Sequence, residues 1–329
     1  MIGCGRAAES LHLPSAVVSK GIETTVVVDV DPHRARSMAD AYGVKEVRET
    51  PAQVAGLADA AVVALPHHLH APVTRELLEA GLHVLVEKPL ALSAAECSEL
   101  AELARARGLT LAVAMVRRRF PTSRFIKRAL ESELLGTIEQ VTVREGAPFR
   151  WEVSSDFTFR RETGGGVLAD TGVHVLDLLG WWFGEPRVES YRDDAFGGVE
   201  AECEVALTLP SGANARVELS RTRELANSVR IVGSRAVLEA GNGFDGRVSL
   251  DLGVEPLAGS VQPAERSYRN VREIFVEQLE DFANSVVSGA PPLVGPEEAC
   301  VGVQLLESCR ERRQPLRLPW LESAPEVAA

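Results

Sequence analysis

The sequence predicts an α/β domain followed by an α+β domain with a mostly antiparallel, open sheet. Over residues 1–115, short apolar runs alternate with amphipathic stretches, which is typical of parallel strands joined by right-handed helical crossovers. From about Pro121 the pattern changes to short alternating runs bounded by turn residues, typical of an antiparallel sheet. The length of 329 residues suits two domains, which we place at residues 1–118 and 119–329.

In the first half, apolar runs predict the strands and helical periodicity predicts the helices between them. The predicted strands are Thr24–Val28, Ala60–Leu65, His83–Val86 and Thr110–Ala114. The predicted helices are Ala7–Val18, Pro32–Tyr42, His70–Ala80 and Ala94–Arg107. Gly81 and Gly108 stand where a left-handed residue ends a helix.

The second half predicts one sheet and four helices. The predicted strands are Ile138–Glu145, Glu200–Leu209, Ala213–Ser220, Ser228–Val232 and Ala236–Glu239, and the helices are Ser123–Glu133, Val167–Phe183, Arg272–Val287 and Glu297–Arg312. We expect one face of the sheet to pack on Val167–Phe183 and the other, partly apolar, to remain open. Such a face usually finds a partner, so we expect a homodimer or homotetramer through the C-terminal sheet. The tail after Leu321 should be frayed.

Composition narrows the functional class. The formal charge of −12 disfavours binding to nucleic acid, which depends on neutralising phosphates. The longest stretch without charged side chains, residues 60–74, is too short and too polar to cross a membrane. Without a signal sequence, the expected location is the cytoplasm. The five cysteines have no CxxC spacing, so we interpret them as isolated structural thiols in a reducing compartment.

The first chemical motif, Gly3-Cys4-Gly5-Arg6-Ala7-Ala8, fits the G-x-G-x-x-A spacing of a dinucleotide-binding turn. The first glycine permits the tight turn, the second lets the backbone approach the pyrophosphate, and the third small residue packs helix on strand. The phosphates would lie at the amino end of the following helix. We therefore predict a Rossmann domain whose cofactor contacts include Gly3, Gly5, Arg6 and Ala7.

Asp29, at the end of the next strand, is the predicted ligand of the adenine ribose. A carboxylate there accepts hydrogen bonds from ribose hydroxyls and repels a 2′-phosphate. Because neither Val30 nor Asp31 is basic, the prediction is NAD, with NADP disfavoured. Asp29 and Asp31-Pro32 could also cap the next helix; we assign the cap to Asp31 and the ligand role to Asp29.

A dinucleotide-binding sheet needs a strand that enters Gly3, and here only Met1 and Ile2 precede that glycine. A missing central strand would leave its neighbours' backbone groups unpaired and remove buried apolar surface. We expect either that the true start lies upstream or that this product is truncated and compromised, and we prefer the first explanation.

Three further segments resemble the Gfo/Idh/MocA oxidoreductases, which include glucose–fructose oxidoreductase and inositol dehydrogenase. They are Leu65-Pro66-His67-His68-Leu69-His70, Gly81–Pro89 with its Glu87-Lys88-Pro89, and Gly164-Gly165-Gly166 followed by Asp170-x-Gly172-x-His174-x-x-Asp177. The resemblance covers nearly the whole chain. It implies hydride transfer between a nicotinamide and a secondary hydroxyl or ketone of a sugar, cyclitol or aminosugar-containing glycoside. By analogy with the family, it also implies a 3-keto sugar step.

By resemblance, Lys88, Asp170 and His174 match the catalytic lysine, aspartate and histidine of the family. Their chemistry also fits the reaction. An ammonium at Lys88 would hydrogen-bond the reacting oxygen and stabilise developing alkoxide character. His174, four residues after Asp170 on one helix face, would accept the hydroxyl proton. Asp170 would orient that imidazole or bind a neighbouring substrate hydroxyl, whereas Asp177 is more readily interpreted as structural.

Six other residues are further candidates for the site. The resemblance places Pro66, His67 and His70 near the nicotinamide side of the cofactor, and Glu87 would contact the cofactor or hold its loop. Of the basic run at residues 117–119, Arg119 is the candidate to reach substrate. Trp151 suits stacking on a sugar face, although a buried core tryptophan fits equally well. Trp181-Trp182 should pack between helix and sheet.

Two other classes of function remain open. A catalytically silent NAD-binding regulator could share this fold, but the joint presence of Lys88, Asp170 and His174 argues against it. A metal-dependent hydrolase could use His67, His68 and His70, but no carboxylate or cysteine accompanies them at ligand spacing. We therefore predict no metal site.

Overall fold

The computed structural model describes residues 1–254, 256–262 and 268–316. The N-terminal strands are β1 (Val26–Val28), β2 (Glu46–Arg48), β3 (Ala60–Val63), β4 (His83–Val86) and β5 (Leu111–Val113). The helices are α1 (Leu13–Ala16), α2 (Pro32–Tyr42), α3 (His67–Glu79) and α4 (Ala94–Arg107). Strand β1 pairs with β2 and β4 lies between β3 and β5, all in parallel.

Ile2 joins these two parts into one sheet, since it forms parallel bridges to both Val28 and Val63. Its N–H donates to Val62 O and its C=O accepts from Ala64 N, both at 2.8 Å. The Ile2 side chain is 1% exposed in the apolar core. The expectation of unpaired neighbouring strands is therefore wrong at these positions, because two residues suffice to bridge them.

Local sequence explains where the first helices begin and end. Asp31 caps α2 by accepting hydrogen bonds from His33 N and Arg34 N, as predicted. Gly108 ends α4 in the left-handed region with φ of 65°. Gly81 follows α3 with φ of 85°. At such angles a side chain on any other residue would be strained.

The C-terminal half contains a nine-stranded sheet in the order β13-β12-β11-β10-β6-β9-β8-β7-β14. Its strands are β6 (Ile138–Gly146), β7 (Arg187–Asp193), β8 (Glu202–Thr208), β9 (Asn214–Ser220), β10 (Ser228–Gly233), β11 (Val237–Gly241), β12 (Arg247–Asp251), β13 (Leu257–Ser260) and β14 (Arg313–Pro315). The sheet is mixed, because β6–β9 and β7–β14 pair in parallel and the other pairs are antiparallel.

Four helices accompany this sheet: α5 (Pro121–Glu131), α6 (Val173–Phe183), α7 (Val271–Ser288) and α8 (Pro296–Glu311). The inward side chains of the sheet share one apolar core with α6 and α8. Helix α8 also packs on α4, and α7 packs on α1, so these helices link the two halves. Trp182 is buried, as predicted, and its Nε1 donates to Ser123 O at 3.0 Å.

The open face of the sheet is more polar than predicted. It carries cross-strand ion pairs between Arg144 and Glu218 and between Arg192 and Glu204. The sequence patterns also missed five strands, namely β2, β7, β12, β13 and β14, of which only β7 is as long as the predicted strands β8 and β9. The residues of β2 and β12–β14 are half-exposed or exposed, which removes the apolar signal. The tail after Leu321 lies outside the described residues.

Two predicted helices begin with a π-helical turn, at Ala8–His12 and at Leu168–Gly172. Such turns widen a helix and are frequent at functional sites. Both of them contribute side chains to the cluster described next.

Candidate active site

Lys88 and Asp170 form the centre of the candidate site. Lys88 follows β4 at its carboxyl end, and Asp170 lies in the π-helical turn before α6. The Lys88 Nζ donates to Asp170 Oδ1 at 2.6 Å and to Asp170 O at 2.9 Å. The Lys88 side chain is only 14% exposed. Two distant segments therefore place an ammonium and a carboxylate in contact at a partly water-excluded position.

Arg221 completes this cluster, and the sequence analysis missed it. It directly follows β9, and its Nη2 donates to Asp170 Oδ2 at 2.5 Å. The guanidinium lies 4.9 Å from the ring centroid of Phe149. Burial alone would raise the pKa of Asp170, but the charges of Lys88 and Arg221 outweigh it and hold that pKa far below its ordinary value. The only available signal was a cation at the end of a strand, which is common on protein surfaces.

His67 and His174 contribute two neutral imidazoles. His67 Nδ1 lies 2.7 Å from Gly164 O, so the ring donates there. Burial, with the positive charge of Lys88, lowers the pKa of His67 to about 3. Burial and the charges of Arg117 and Lys88 lower the pKa of His174 well below its usual value. His174 is therefore neutral at ordinary pH, with its Nδ1 buried and unpaired among the described residues.

Glu87 and His70 hold the backbone of the lysine turn. The His70 Nδ1 lies 2.6 Å from Pro89 O and its Nε2 lies 2.8 Å from Leu65 O. The two carbonyl contacts raise the pKa of His70, but burial outweighs them and lowers it. The neutral ring therefore donates to one of the two carbonyls. Glu87 contacts His12 at 2.7 Å. His70 thus has both nitrogens against backbone oxygens, and no group of three or more potential metal ligands occurs in the described part of the chain.

The dinucleotide-type turn combines a close backbone approach with a buried carboxylate. Gly3 has φ of +91°, and a Cβ there would lie 2.3 Å from Ala64 O. The Asp29 carboxylate accepts Cys4 N at 2.8 Å and Asp31 N at 2.9 Å. It is 8% exposed at the carboxyl end of β1. Bare backbone at the turn and a fixed carboxylate beside it are the features that pyrophosphate and ribose recognition require.

Other predicted cofactor residues lie around this turn. Ala7 is in the first helical residues after Gly5, and Pro66 immediately precedes α3. Arg6 is half-exposed and forms ion pairs with Glu9 at 3.2 Å and with Glu152 at 3.1 Å. Arg6 is therefore near the turn, with its guanidinium shared between two carboxylates.

A loop from the second half lies against the turn. Ser154 Oγ is 3.0 Å from the position of a Cβ on Gly5, and Glu152 contacts Arg6. Trp151 in this loop is 49% exposed, so the core interpretation of this tryptophan is wrong. The loop carries an exposed aromatic ring at the rim of the turn.

The structure does not bring Arg119 to the Lys88 cluster. Its guanidinium is buried and contacts Glu277 at 3.4 Å and Asp281 at 2.7 Å on α7. A substrate contact would require both ion pairs to break, so the predicted substrate role of Arg119 has no geometric support. Arg118 pairs with Asp177 at 2.7 Å, which agrees with a structural role for that aspartate.

A parallel nucleotide-binding sheet, a glycine turn and a lysine at a strand end define the class of nicotinamide-dependent oxidoreductases. Comparison with known proteins identifies the family. Residues 1–115 match the oxidoreductase family with an NAD-binding Rossmann fold, and residues 123–239 match the GFO/IDH/MocA C-terminal domain. The chain therefore belongs to the Gfo/Idh/MocA oxidoreductase family.

Individual relatives agree with this assignment. The chain is 30% identical over 262 residues to a dTDP-3,4-didehydro-2,6-dideoxy-α-D-glucose 3-reductase of Streptomyces violaceoruber, covering 78% of this chain and 73% of the relative. It is 30% identical over 211 residues to the D-glucoside 3-dehydrogenase of Escherichia coli, covering 62% and 59%. The fold matches KijD10, a 3-ketoreductase from Actinomadura kijaniata solved with NADP and TDP-benzene, with a TM-score of 0.85, 23% identity and coverage of 97% and 98%.

Proposed function

We propose that this protein catalyses hydride transfer between a nicotinamide cofactor and a secondary hydroxyl or ketone of a sugar or a sugar-like ring. The observation that carries the proposal is the Lys88–Asp170 contact of 2.6 Å, flanked by two neutral histidines. The names of the two relatives above indicate reduction or oxidation at carbon 3 of a glucose derivative, which supports a sugar or glycoside substrate and a 3-keto sugar as either substrate or product.

Each residue of the cluster has a distinct task in the proposed reaction. The Lys88 ammonium donates to the reacting oxygen and stabilises negative charge as it develops there. Neutral His174 is in the form that can accept the hydroxyl proton, but its low pKa makes it a weak base. Ionised Asp170 holds Lys88 in place and offers an acceptor for a neighbouring hydroxyl. When bound at the Gly3–Ala7 turn, the nicotinamide cofactor would supply or receive the hydride.

Turnover by a lysine variant tests this proposal. Purified protein is mixed with NAD⁺ and methyl glucosides, free glucose or myo-inositol, and reduced nicotinamide is followed by its absorbance. Lys88→Met should lower kcat by roughly 10²–10⁴-fold, the usual contribution of a positioned acid or base. Lys45→Met, on the exposed surface, is the matched control and should keep full activity. Equal turnover by the Lys88→Met variant and the wild type would overturn the assignment.

We further propose NAD as the preferred cofactor, because the fixed Asp29 carboxylate would repel a 2′-phosphate. Arg34 opposes this preference, since its Nη1 lies 3.7 Å from Asp29 Oδ2 and could attract such a phosphate. Calorimetric titration should give tighter binding of NAD⁺ than of NADP⁺. Asp29→Asn, which keeps an acceptor for Cys4 N, should reduce the ratio of NAD⁺ affinity to NADP⁺ affinity. Arg34→Ala should increase that ratio. Tighter binding of NADP⁺ by the wild type would contradict this preference.

The silent-regulator alternative makes a different prediction in the same experiments. Such a protein would bind NAD⁺ but show no turnover on any sugar, and Lys88→Met would leave binding to its partner intact. The retained Lys88, Asp170 and His174 cluster favours the enzyme.

We also propose a homodimer or homotetramer through the open sheet face, and a cytoplasmic location. Among the described residues, no helix is long and apolar enough to cross a membrane. All five cysteines are free and buried, which suits a reducing compartment. The outward pair Arg144 and Glu218 could form complementary contacts across a two-fold axis. Sedimentation of the wild type and of an Ala206→Arg variant on this face tests the assembly, because a charged residue should dissociate it.

A further inference from the structure

We propose that His12 is a positioning residue that fixes the backbone of Lys88 through the carboxylate of Glu87. It would thereby connect the helix that follows the dinucleotide turn to Lys88, the residue proposed to contact the substrate. The inference rests on the proposed function, because that function assigns the reacting oxygen to Lys88. None of the sequence motifs identified His12, since a histidine inside an amphipathic helix has no distinguishing pattern.

The contacts form a short chain from helix to lysine. His12 Nε2 lies 2.7 Å from Glu87 Oε1, and the two side chains are 0% and 15% exposed. Glu87 Oε2 accepts the N–H of Lys88 at 3.2 Å. The N–H of Glu87 donates to Val63 O at 2.9 Å. Glu87 is thus held by the sheet on its backbone and by His12 on its side chain, while it holds the next peptide unit.

The protein encloses the His12 ring on the other side. His12 is the last residue of the π-helical turn Ala8–His12. The ring of Phe275 on α7 packs edge-on against it, with centroids 5.2 Å apart. Nearby, Ser15 Oγ donates to Arg272 O at 3.3 Å, which joins the same two helices. The imidazole therefore has little freedom to turn away from Glu87.

The protonation pattern agrees with a donor at Nε2. His12 Nδ1 is buried and has no hydrogen-bond partner among the described residues. With the hydrogen on Nε2, the ring donates to Glu87, and Nδ1 carries only a lone pair. A buried acceptor without a partner is tolerated more easily than a buried N–H without one. The arrangement thus favours one tautomer, and that tautomer makes the contact with Glu87.

Electrostatics give the contact its strength. Burial alone would raise the pKa of Glu87, but the hydrogen bond from His12 and the charge of Lys88 keep that pKa below its ordinary value. An ionised carboxylate in a buried position is costly unless donors satisfy it. His12 Nε2 and Lys88 N supply one donor to each oxygen. Of the two roles predicted for Glu87, this geometry favours holding the loop over contacting the cofactor.

The position of Lys88 can be measured without any substrate. The chain has four lysines, Lys20, Lys45, Lys88 and Lys127, so trace acetylation with acetic anhydride followed by peptide mass spectrometry reports each of them. His12→Leu should raise Lys88 labelling relative to Lys45 by about tenfold, which corresponds to the loss of one charged hydrogen bond. His12→Gln, whose amide can donate from a similar position, should stay within about twofold of the wild type. NAD⁺ affinity should be unchanged in both variants.

A structural role alone would behave differently. In that case His12→Leu would raise the labelling of all lysines together and lower NAD⁺ affinity, and His12→Gln would not restore either property. That result would overturn the proposal. Unchanged Lys88 labelling in His12→Leu would overturn it as well. Should that variant fail to fold because Glu87 is left unpaired, His12→Leu with Glu87→Gln removes the buried charge and should still expose Lys88. Wild-type protection in the double variant would also refute the link. Because labelling needs no turnover, these outcomes are independent of the sugar assay.

Discussion

Arg221 holds Asp170 from the side opposite Lys88, with a distance of 2.5 Å between Nη2 and Oδ2. The carboxylate therefore contacts two cations, contributed by the segments that follow β4 and β9. Because Arg221 occupies Oδ2, Lys88 contacts only one carboxylate oxygen of Asp170, together with its backbone carbonyl. The ammonium is oriented by one carboxylate oxygen and one carbonyl, which leaves it a hydrogen for substrate.

Replacement of Arg221 should therefore weaken catalysis without removing the lysine. In Arg221→Gln, Asp170 loses one charged hydrogen bond, worth about 1.5–3 kcal/mol, and becomes free to turn. We expect kcat to fall about tenfold or more, with NAD⁺ affinity unchanged. Steady-state kinetics on the sugar identified in the Lys88 experiment measure the effect. Arg105→Gln, on the exposed surface of α4, is the control, and equal losses in both variants would contradict this role.

Stability should decrease in acid because His67 is buried as a neutral ring. Its pKa is about 3 in the folded protein, below the ordinary value of 6.5. As pH falls from 6.5 towards 3, the unfolded chain binds a proton that the folded chain does not bind, so the free energy of unfolding decreases. His67→Gln should reduce this slope by up to about 1.4 kcal/mol per pH unit. Urea titrations across this range test it, and an unchanged slope would refute it.

The Arg118–Asp177 pair should contribute strongly to stability. Their side chains are 5% and 2% exposed and make two hydrogen bonds, at 2.9 and 2.7 Å. Asp177→Leu leaves a buried guanidinium without its partner and should cost about 3–5 kcal/mol in the free energy of unfolding. Arg118→Met combined with Asp177→Leu should recover most of that loss. Chemical denaturation measures both variants; no recovery in the double variant would mean that the pair does not act as a unit.

Gly3 should not tolerate a side chain, for a reason beyond its dihedral angle. Gly3 and Gly21 have φ of +91° and +75°. A Cβ on Gly3 would lie 2.3 Å from Ala64 O, whereas a Cβ on Gly21 would have no atom within 4 Å. Gly21→Ala should therefore cost about 1–2 kcal/mol of stability for the left-handed conformation alone. Gly3→Ala should cost more and abolish NAD⁺ binding. Denaturation and calorimetry compare the two, and equal effects would show that the close approach is unimportant.

Much of the architecture was predictable from local pattern. The buried strands β3 and β4, the Asp31 cap of α2 and the turn at Gly108 follow from apolar runs, side-chain acceptors and left-handed glycine, all of which act within a few residues. Short exposed strands such as β13 were not predictable. Its residues, Leu257 included, are all exposed, and the strand exists because the neighbouring edge of β12 offers hydrogen bonds.

For the site, the sequence by itself predicted Lys88, Asp170 and Asp29 as functional residues, from the glycine turn and from the family resemblance. Only the tertiary structure decided their partners. Arg221 is 51 residues from Asp170 and Glu87 is 75 residues from His12, so no local pattern relates them. It also paired the guanidinium of Arg119 with carboxylates of α7 rather than placing it in the site. The physical reason is that capping and periodicity depend on neighbours along the chain, whereas charge pairing depends on distances that exist only once the sheets and helices have packed.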